Sequence, residues 1–296
     1  MKLIVNELKK VINHRTIIED VSFTVNHGEI VGVIGRNGVG KTTLFKAMTG
    51  IYLTDNGRVL IDNQDLTEDI ALKQELFFVD PLNNFYIHYT PMEIAKMYAI
   101  TYPKMDVDQF LTEITDHNLP LNQKVKYFSK GMQGLFNVLL ALATQAQFVI
   151  LDEPFDGLDV LVRENVKRLL INAVQSKEIS LIISSHNLAE LDTLVDRAII
   201  LKDTKVVGEY SLENLRETAR KIQLVFKDGL PDEIKQAGTL VEARGRVYVM
   251  IFENYTRQLD EKIANLAPLL YEELPLSLED LFRTQLVNEN DYILEK

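Results

Sequence analysis

The sequence predicts an α/β protein built on a largely parallel sheet, followed by a small α+β domain. Three observations carry that expectation. Short β-branched runs alternate with helical stretches as far as about residue 210. The runs EIVGVIG (29–35) and QFVILDEP (147–154) have wholly apolar middles, the pattern of strands buried on both faces. Beyond residue 211 the texture changes to a helix, a single strand, a hairpin and a second helix.

The elements follow in order. KLIVNELKKV (2–11) and TIIEDVSFTV (16–25) alternate as strands, and NHGE (26–29) marks a turn before the buried run EIVGVIG. A glycine-rich loop then opens KTTLFKAMTG, a helix closed by Gly50. GRVLI (57–61) is a strand and DNQD a turn. PMEIAKMYA and DVDQFLTEI, between about 90 and 120, are helical. The apolar stretch Leu135–Leu151 reads as a helix running into the strand QFVILDEP. ENVKRLLINAVQ is helical, SLIISSH is a strand, and RAIILK and KVVGEY close the domain as a pair of strands. Further on, SLENLRETARK is a helix with Ser211 as its N-cap, and IQLVFK is a strand. TLVEARGRVYVMIF turns at Arg244-Gly245, and TRQLDEKIANLAPLL is a helix. These boundaries give a first domain over 1–210, with a helical subdomain at about 82–145, and a second over 211–296.

Composition narrows the function classes. The chain has 296 residues, 46% of them apolar, so it can bury a sizeable core. Its net charge of −11 lacks the basic stripe of a nucleic-acid binder and opposes direct adhesion to an anionic bilayer. There is no cysteine, which removes disulfides and thiolate metal sites, and the five histidines have no ligand spacing. The start, MKLIVNELKK, lacks a signal-peptide core. The longest apolar stretch is interrupted by Asn137, Thr144, Gln145 and Gln147, so no spanning helix is expected, and work on a membrane would need another chain.

Two motifs carry chemistry. GRNGVGKT (35–42) fits G-x-x-x-x-G-K-[ST] between a strand and a helix. Gly35, Arg36, Asn37, Gly38, Val39 and Gly40 form a tight loop whose backbone N–H groups can face an anion, at the positive end of the next helix. Lys41 can reach β- and γ-phosphates, and the Thr42 hydroxyl, followed by Thr43, can ligate Mg²⁺. FVILDEPFDGLD (148–159) sets carboxylates at the C-terminal end of a buried strand, where α/β sheets bind ligands. Asp152 is placed to hold Mg²⁺, and Glu153 to orient or deprotonate an attacking water. His186, just after SLIISS, can sense a γ-phosphate, although alone it reads as a solvated loop histidine. FSKGMQ (128–133) alone reads as a helix start capped by Ser129; Met132 stands where a capping box needs Glu or Gln.

In this order the motifs resemble those of ATP-binding-cassette (ABC) ATPases, over about residues 1–210. GRNGVGKT resembles Walker A, FVILDEP resembles Walker B with its catalytic glutamate, GLD the D-loop with Asp159, and SSH the switch histidine. FSKGMQ then resembles the LSGGQ signature: Ser129 and Gly131 match, while Phe128, Lys130 and Met132 depart. The resemblance implies a P-loop NTPase cassette: a RecA-like core, an antiparallel β subdomain and a helical subdomain. It implies ATP and Mg²⁺ as ligands. It also implies a homodimer or heterodimer in which Ser129, Lys130 and Gly131 face the γ-phosphate held by the partner's Walker A.

Two departures stand out. The family's adenine-stacking aromatic falls at about Ile12, which has no π face; Val11 and Ile17 add aliphatic cover. The Q-loop glutamine falls near FFVDPLNN, where Pro81 aligns, so the adjacent Asp80 is the expected substitute at the metal. Nearby, Tyr86, His88 and Tyr89 are expected to face a membrane subunit.

LPLSLEDLF (274–282) resembles the tails of ABC-2 drug and peptide exporter ATPases, and YPKMDVDQF and SKGM resemble the branch that serves amphipathic or antimicrobial peptides, phenol-soluble modulins among them. A separate transmembrane permease is the implied partner, with this chain on the cytoplasmic face and no nucleic acid involved. A regulatory ATP-binding module gating a sensor or immunity complex is the other reading.

Overall fold

The computed structural model describes residues 1–80, 85–177 and 179–280. The chain divides into two compact units. One contains Met1–Glu190 with Leu194–Glu209, and the other Leu191–Thr193 with the residues from Tyr210 onward.

The first unit holds two sheets. β1 (Lys2–Ile12) and β2 (Arg15–Asn26) form an antiparallel hairpin. β4 (Asn56–Ile61) and β5 (Gln64–Asp65) extend it in the order β2-β1-β4-β5. The larger sheet uses β3 (Ile30–Ile34), β6 (Leu76–Val79), β7 (Phe148–Asp152), β8 (Ser180–Ser185), β9 (Arg197–Lys202) and β10 (Lys205–Ser211), in the order β10-β9-β3-β8-β7-β6. The pairs β3–β8, β3–β9, β6–β7 and β7–β8 are parallel. β3, β7 and β8 are buried at every position, as their apolar sequences require.

Helix α1 (Lys41–Met48) follows β3 and packs Leu44 and Phe45 into the same core as Phe148, Ile150 and Ile182. α2 (Pro91–Thr101) starts with a full capping box: Thr90 Oγ1 accepts from Glu93 N, and the Glu93 carboxylate accepts from Thr90 N, with proline at the first turn. α3 (Val107–Asp116) is capped by Asp106. α4 (Lys130–Ala143) is capped on one side only, by Ser129 Oγ accepting from Met132 N at 3.2 Å. α5 (Val160–Lys177) lies between β7 and β8, and the short α6 (Leu188–Leu191) follows β8. No helix among the described residues is long and apolar enough to cross a membrane.

The second unit contains α7 (Leu212–Thr218), β11 (Arg220–Val225), α8 (Asp232–Ala237), β12 (Thr239–Arg244), β13 (Val247–Phe252), α9 (Arg257–Asn265) and β14 (Leu270–Leu274). Its antiparallel sheet runs β12-β13-β11-β14 and packs Ile222, Leu224, Met250 and Phe252 against Ile234 and Ile263. Here the sequence expectation needs correction. TRQLDEKIANLAPLL is not one helix: α9 stops at Asn265, and Leu270 already belongs to β14. Pro268 cannot continue a helix, and Ala267 before it sits at φ 47°. Strand β14 exists because β11 pairs with it, from Val225–Leu270 to Lys221–Leu274.

A second correction concerns Tyr86. It is 4% exposed and donates to Asn137 Oδ1 at 2.8 Å, so it belongs to the helical core with Phe110, Phe128 and Phe136. The neighbouring Phe85 is 63% exposed, and His88 and Tyr89 are also on the surface. Pro81 lies outside the described residues.

Candidate nucleotide site

The C-terminal ends of β3, β7 and β8 lie side by side, which is where an open parallel sheet gathers ligand-binding groups. After β3, residues 35–40 turn sharply into α1. Gly40 sits at φ 113°, and a Cβ there would stand 3.0 Å from the Ile17 carbonyl oxygen, so only glycine fits the turn. A Cβ on Gly35 would be 2.7 Å from Leu201 O and from Val39 Cγ1.

Lys41, the first residue of α1, is 6% exposed. Its Nζ donates to Gly35 O at 2.7 Å and Arg36 O at 3.4 Å, and lies 3.1 Å from Glu153 Oε1. Thr42 Oγ1 donates to Asp152 Oδ2 at 2.5 Å. The register of β7 against β8 sets Asp152 opposite Ser184. Ser184 Oγ donates to Asp152 Oδ1 at 2.5 Å and accepts from Glu153 N at 2.9 Å. Glu153 Oε2 receives His186 Nδ1 at 2.9 Å and His186 N at 3.3 Å. Lys41, Thr42, Asp152, Glu153 and His186 therefore form one continuous chain of contacts.

The donor set suits a phosphate with Mg²⁺. A hydroxyl and a carboxylate already in contact, Thr42 and Asp152, offer hard oxygen ligands, and no trio of His, Cys, Asp or Glu side chains among the described residues forms a closed cage. Glu153 Oε1 is buried and makes only the ionic contact with Lys41, outside hydrogen-bond geometry, so it keeps unused acceptor capacity.

The remaining expected residues sit as follows. Asp80, after β6, is buried, and its carboxylate lies 2.8 Å from Lys46 Nζ on α1. A role at a metal would have to compete with that ion pair. Lys130 and Gly131 contact the segment after β7. A Cβ on Gly157 would lie 3.3 Å from Lys130 Cδ, and a Cβ on Gly131 would lie 3.7 Å from Val162 and 4.0 Å from Asp159. Asp159 Oδ1 caps α5 by accepting from Val162 N at 3.0 Å. Between α4 and the end of β7 is a cavity of about 240 Å³ lined by Lys130, Gln133, Asn137, Asp152 and Glu153 among others. Ile12 ends β1, half-buried, while Asp55 holds Val11 N at 2.8 Å and Ile17 packs on Gly40. One residue to which the sequence assigns no role also joins the site: Ser184, the first residue of SSH. The only sequence signal for Ser184 is a polar pair at the end of an apolar strand.

Comparison with known proteins assigns the family. A profile described as ABC transporter matches residues 18–156. The uncharacterized ABC transporter ATP-binding protein MJ1023 of Methanocaldococcus jannaschii is 30% identical over 283 residues, covering 95% of this chain and 98% of that protein. The chain belongs to the ABC transporter ATP-binding family. The ABC transporter ATP-binding protein YtrB of Bacillus subtilis is 28% identical over 93% of this chain and 95% of its own length. The bacitracin transport ATP-binding protein BcrA of Bacillus licheniformis is 29% identical over 73% of this chain and 71% of its own. Among solved structures, an ATP-binding subunit of an ABC transporter superposes with a TM-score of 0.65 at 25% identity, over 73% of this chain and 92% of that one. As an ABC protein the chain is an ATP-hydrolysing nucleotide-binding subunit coupled to transport. Subunits of this family use ATP with Mg²⁺, typically dimerise, and pair with a transmembrane permease.

Proposed function

We propose that this ABC subunit powers export of an amphipathic or antimicrobial peptide, of the phenol-soluble-modulin type, or of a drug, through a separate permease. The observation that carries the hydrolytic part is Glu153, held between Lys41 and His186 beside the phosphate loop. The cargo reading rests on the likeness to BcrA and on the exporter-like tail motif.

In this reading residues 1–210 are the ATPase domain, with the helical subdomain at about 82–145, and residues 211–296 are accessory. Loop N–H groups from Gly35 to Thr43 bind the phosphates, with Lys41 adding a mobile cation. Thr42 and Asp152 would hold Mg²⁺, which when bound would supply charge neutralisation on the phosphoryl oxygens; Asp80 would have to leave Lys46 to reach it. Glu153 accepts a proton from, or orients, the attacking water, and His186 fixes the Glu153 carboxylate by donating to Oε2. Ile12 covers the base by apolar contact. Ser129, Lys130, Gly131 and Asp159 meet the nucleotide of a second ATPase subunit, identical or a sister chain, so closure of the pair completes each site. The permease holds the chain at the cytoplasmic face, with Phe85, His88 and Tyr89 as exposed contacts.

The test is ATP hydrolysis by the purified full chain against protein concentration, with Glu153→Gln as control. Turnover per chain that rises with concentration and vanishes in the control is expected. ATP binding with no turnover at any concentration, alone or with the permease, would instead identify a regulatory module. The cargo reading is checked by peptide efflux from cells expressing the wild type against Glu153→Gln; equal efflux from the two ends it.

A further inference from the structure

We propose that Ser184 is a positioning residue for hydrolysis: one buried hydroxyl holds the two adjacent carboxylate residues, Asp152 and Glu153, in their working arrangement. The inference rests on the ATPase reading above.

Ser184 lies in β8 and is 0% exposed, next to Ile182 and Ile183. A hydroxyl there costs free energy unless its hydrogen bonds are made. It makes two, with opposite roles. Its proton goes to Asp152 Oδ1, and its lone pair takes the peptide N–H of Glu153. Asp152 spends its other oxygen on Thr42. A line therefore runs from α1 through the end of β7 to β8: Thr42, Asp152, Ser184, then the backbone of Glu153.

The backbone at that last point needs holding. Glu153 is not glycine, yet its φ is 49°. A left-handed conformation at such a residue persists only where its surroundings over-determine it. The side chain is fixed by His186 and Lys41, and the main chain by Ser184. Removing the hydroxyl orphans a peptide N–H and frees one oxygen of Asp152. The peptide at 153 can then rotate and carry the Glu153 carboxylate off its line.

The same strand provides a control. Ser180, also 0% exposed, sits at the opposite end of β8; its Oγ donates to Asn26 O and accepts from Gly28 N, each at 3.0 Å. It has the same burial and bond count and touches neither carboxylate.

The experiment measures kcat, KM for ATP and Tm on the full-length chain for the wild type, Ser184→Ala, Ser184→Thr, Ser184→Val and Ser180→Ala. Positioning predicts that Ser184→Ala and Ser184→Val lose about 10- to 100-fold in kcat with KM within about threefold of the wild type, since a small misplacement of a reacting group has that cost. Ser184→Thr, which keeps the hydroxyl, should exceed the nearly isosteric Ser184→Val about tenfold at matched volume. Ser180→Ala should lower Tm and leave kcat alone. Wild-type kcat in Ser184→Ala overturns the proposal. So do equal rates in the Thr and Val variants, or a kcat loss in Ser180→Ala as large as in Ser184→Ala. A wild type with no Glu153-dependent hydrolysis removes the ATPase reading itself, and this inference with it.

Discussion

Two cation–carboxylate pairs sit at opposite ends of the six-stranded sheet. At the N-terminal end, Arg197 of β9 binds Glu29 through two bonds, Nε to Oε1 at 2.6 Å and Nη2 to Oε2 at 2.9 Å. The same guanidinium also donates to Thr24 O and to Glu209. At the C-terminal end, Lys41 meets Glu153 through a single 3.1 Å ionic contact and otherwise donates to carbonyls of its own loop. The planar fork of arginine, with most of its donors used, locks strands together. The ammonium on its flexible stem, facing a carboxylate oxygen with acceptor capacity left, can exchange partners when a phosphate arrives. On the proposed mechanism, similar charges thus serve rigidity at one end and chemistry at the other, and the difference lies in how fully each valence is spent.

Variants can break this contrast, and the largest effect is expected at the chemical end. Glu153→Gln should reduce steady-state phosphate release by about 100- to 10,000-fold, as loss of a general base does, while the melting curve stays nearly unchanged. Equal losses of rate and stability would erase the distinction. Arg197→Met should lower unfolding free energy by about 3 kcal/mol in denaturant titration, because it leaves a half-buried Glu29 carboxylate unpaired. ATP affinity of the folded protein should not move.

The same pair predicts a pH dependence. Burial pushes the Glu29 carboxyl up, but the Arg197 hydrogen bond, the Asn26 N–H and the Arg197 charge together hold it below its ordinary value. A depressed folded pKa means this stabilisation is present above the unfolded value. It is lost as pH falls through the ordinary glutamate range towards the depressed one. Thermal melts of wild type and Arg197→Met should therefore converge in acid and separate towards neutral pH.

Two smaller effects sharpen the picture. Lys41→Ala should weaken ATP binding by about 1.5–3 kcal/mol, the size of hydrogen bonds to charged groups, read by nucleotide titration. Tyr86→Phe should cost about 1 kcal/mol of stability by leaving Asn137 Oδ1 without its donor, with hydrolysis unchanged.

What the sequence displays and what it hides divide along physical lines. GRNGVGKT is visible because a tight loop and close approach demand glycine at fixed places, and Gly40 at φ 113° is one of them. The parallel sheet is visible because strands buried on both faces are apolar throughout. By contrast β14 is not expected: its first residue, Leu270, reads as the end of a helix, and YEEL has no strand signal of its own and depends on pairing with β11. Tyr86 and Phe85 are adjacent aromatics, and nothing local says which ring turns inward; Asn137, 51 positions away, decides it. Ser184 and the Lys46–Asp80 pair escape for the same reason, because their partners are brought close only by the strand order.

The left-handed backbone at Glu153 has a consequence for laboratory evolution. Glycine at that position would relax the backbone by about 1 kcal/mol, but it would also strip the buried Lys41 of its carboxylate and, on the proposed mechanism, end turnover. In a Lys41→Met background, where no ion pair is lost, a library screened for heat resistance alone should enrich Glu153→Gly, while a wild-type library screened for ATP turnover should discard it. On the proposed mechanism the chemistry sets the side chain at 153, while the backbone by itself favours glycine.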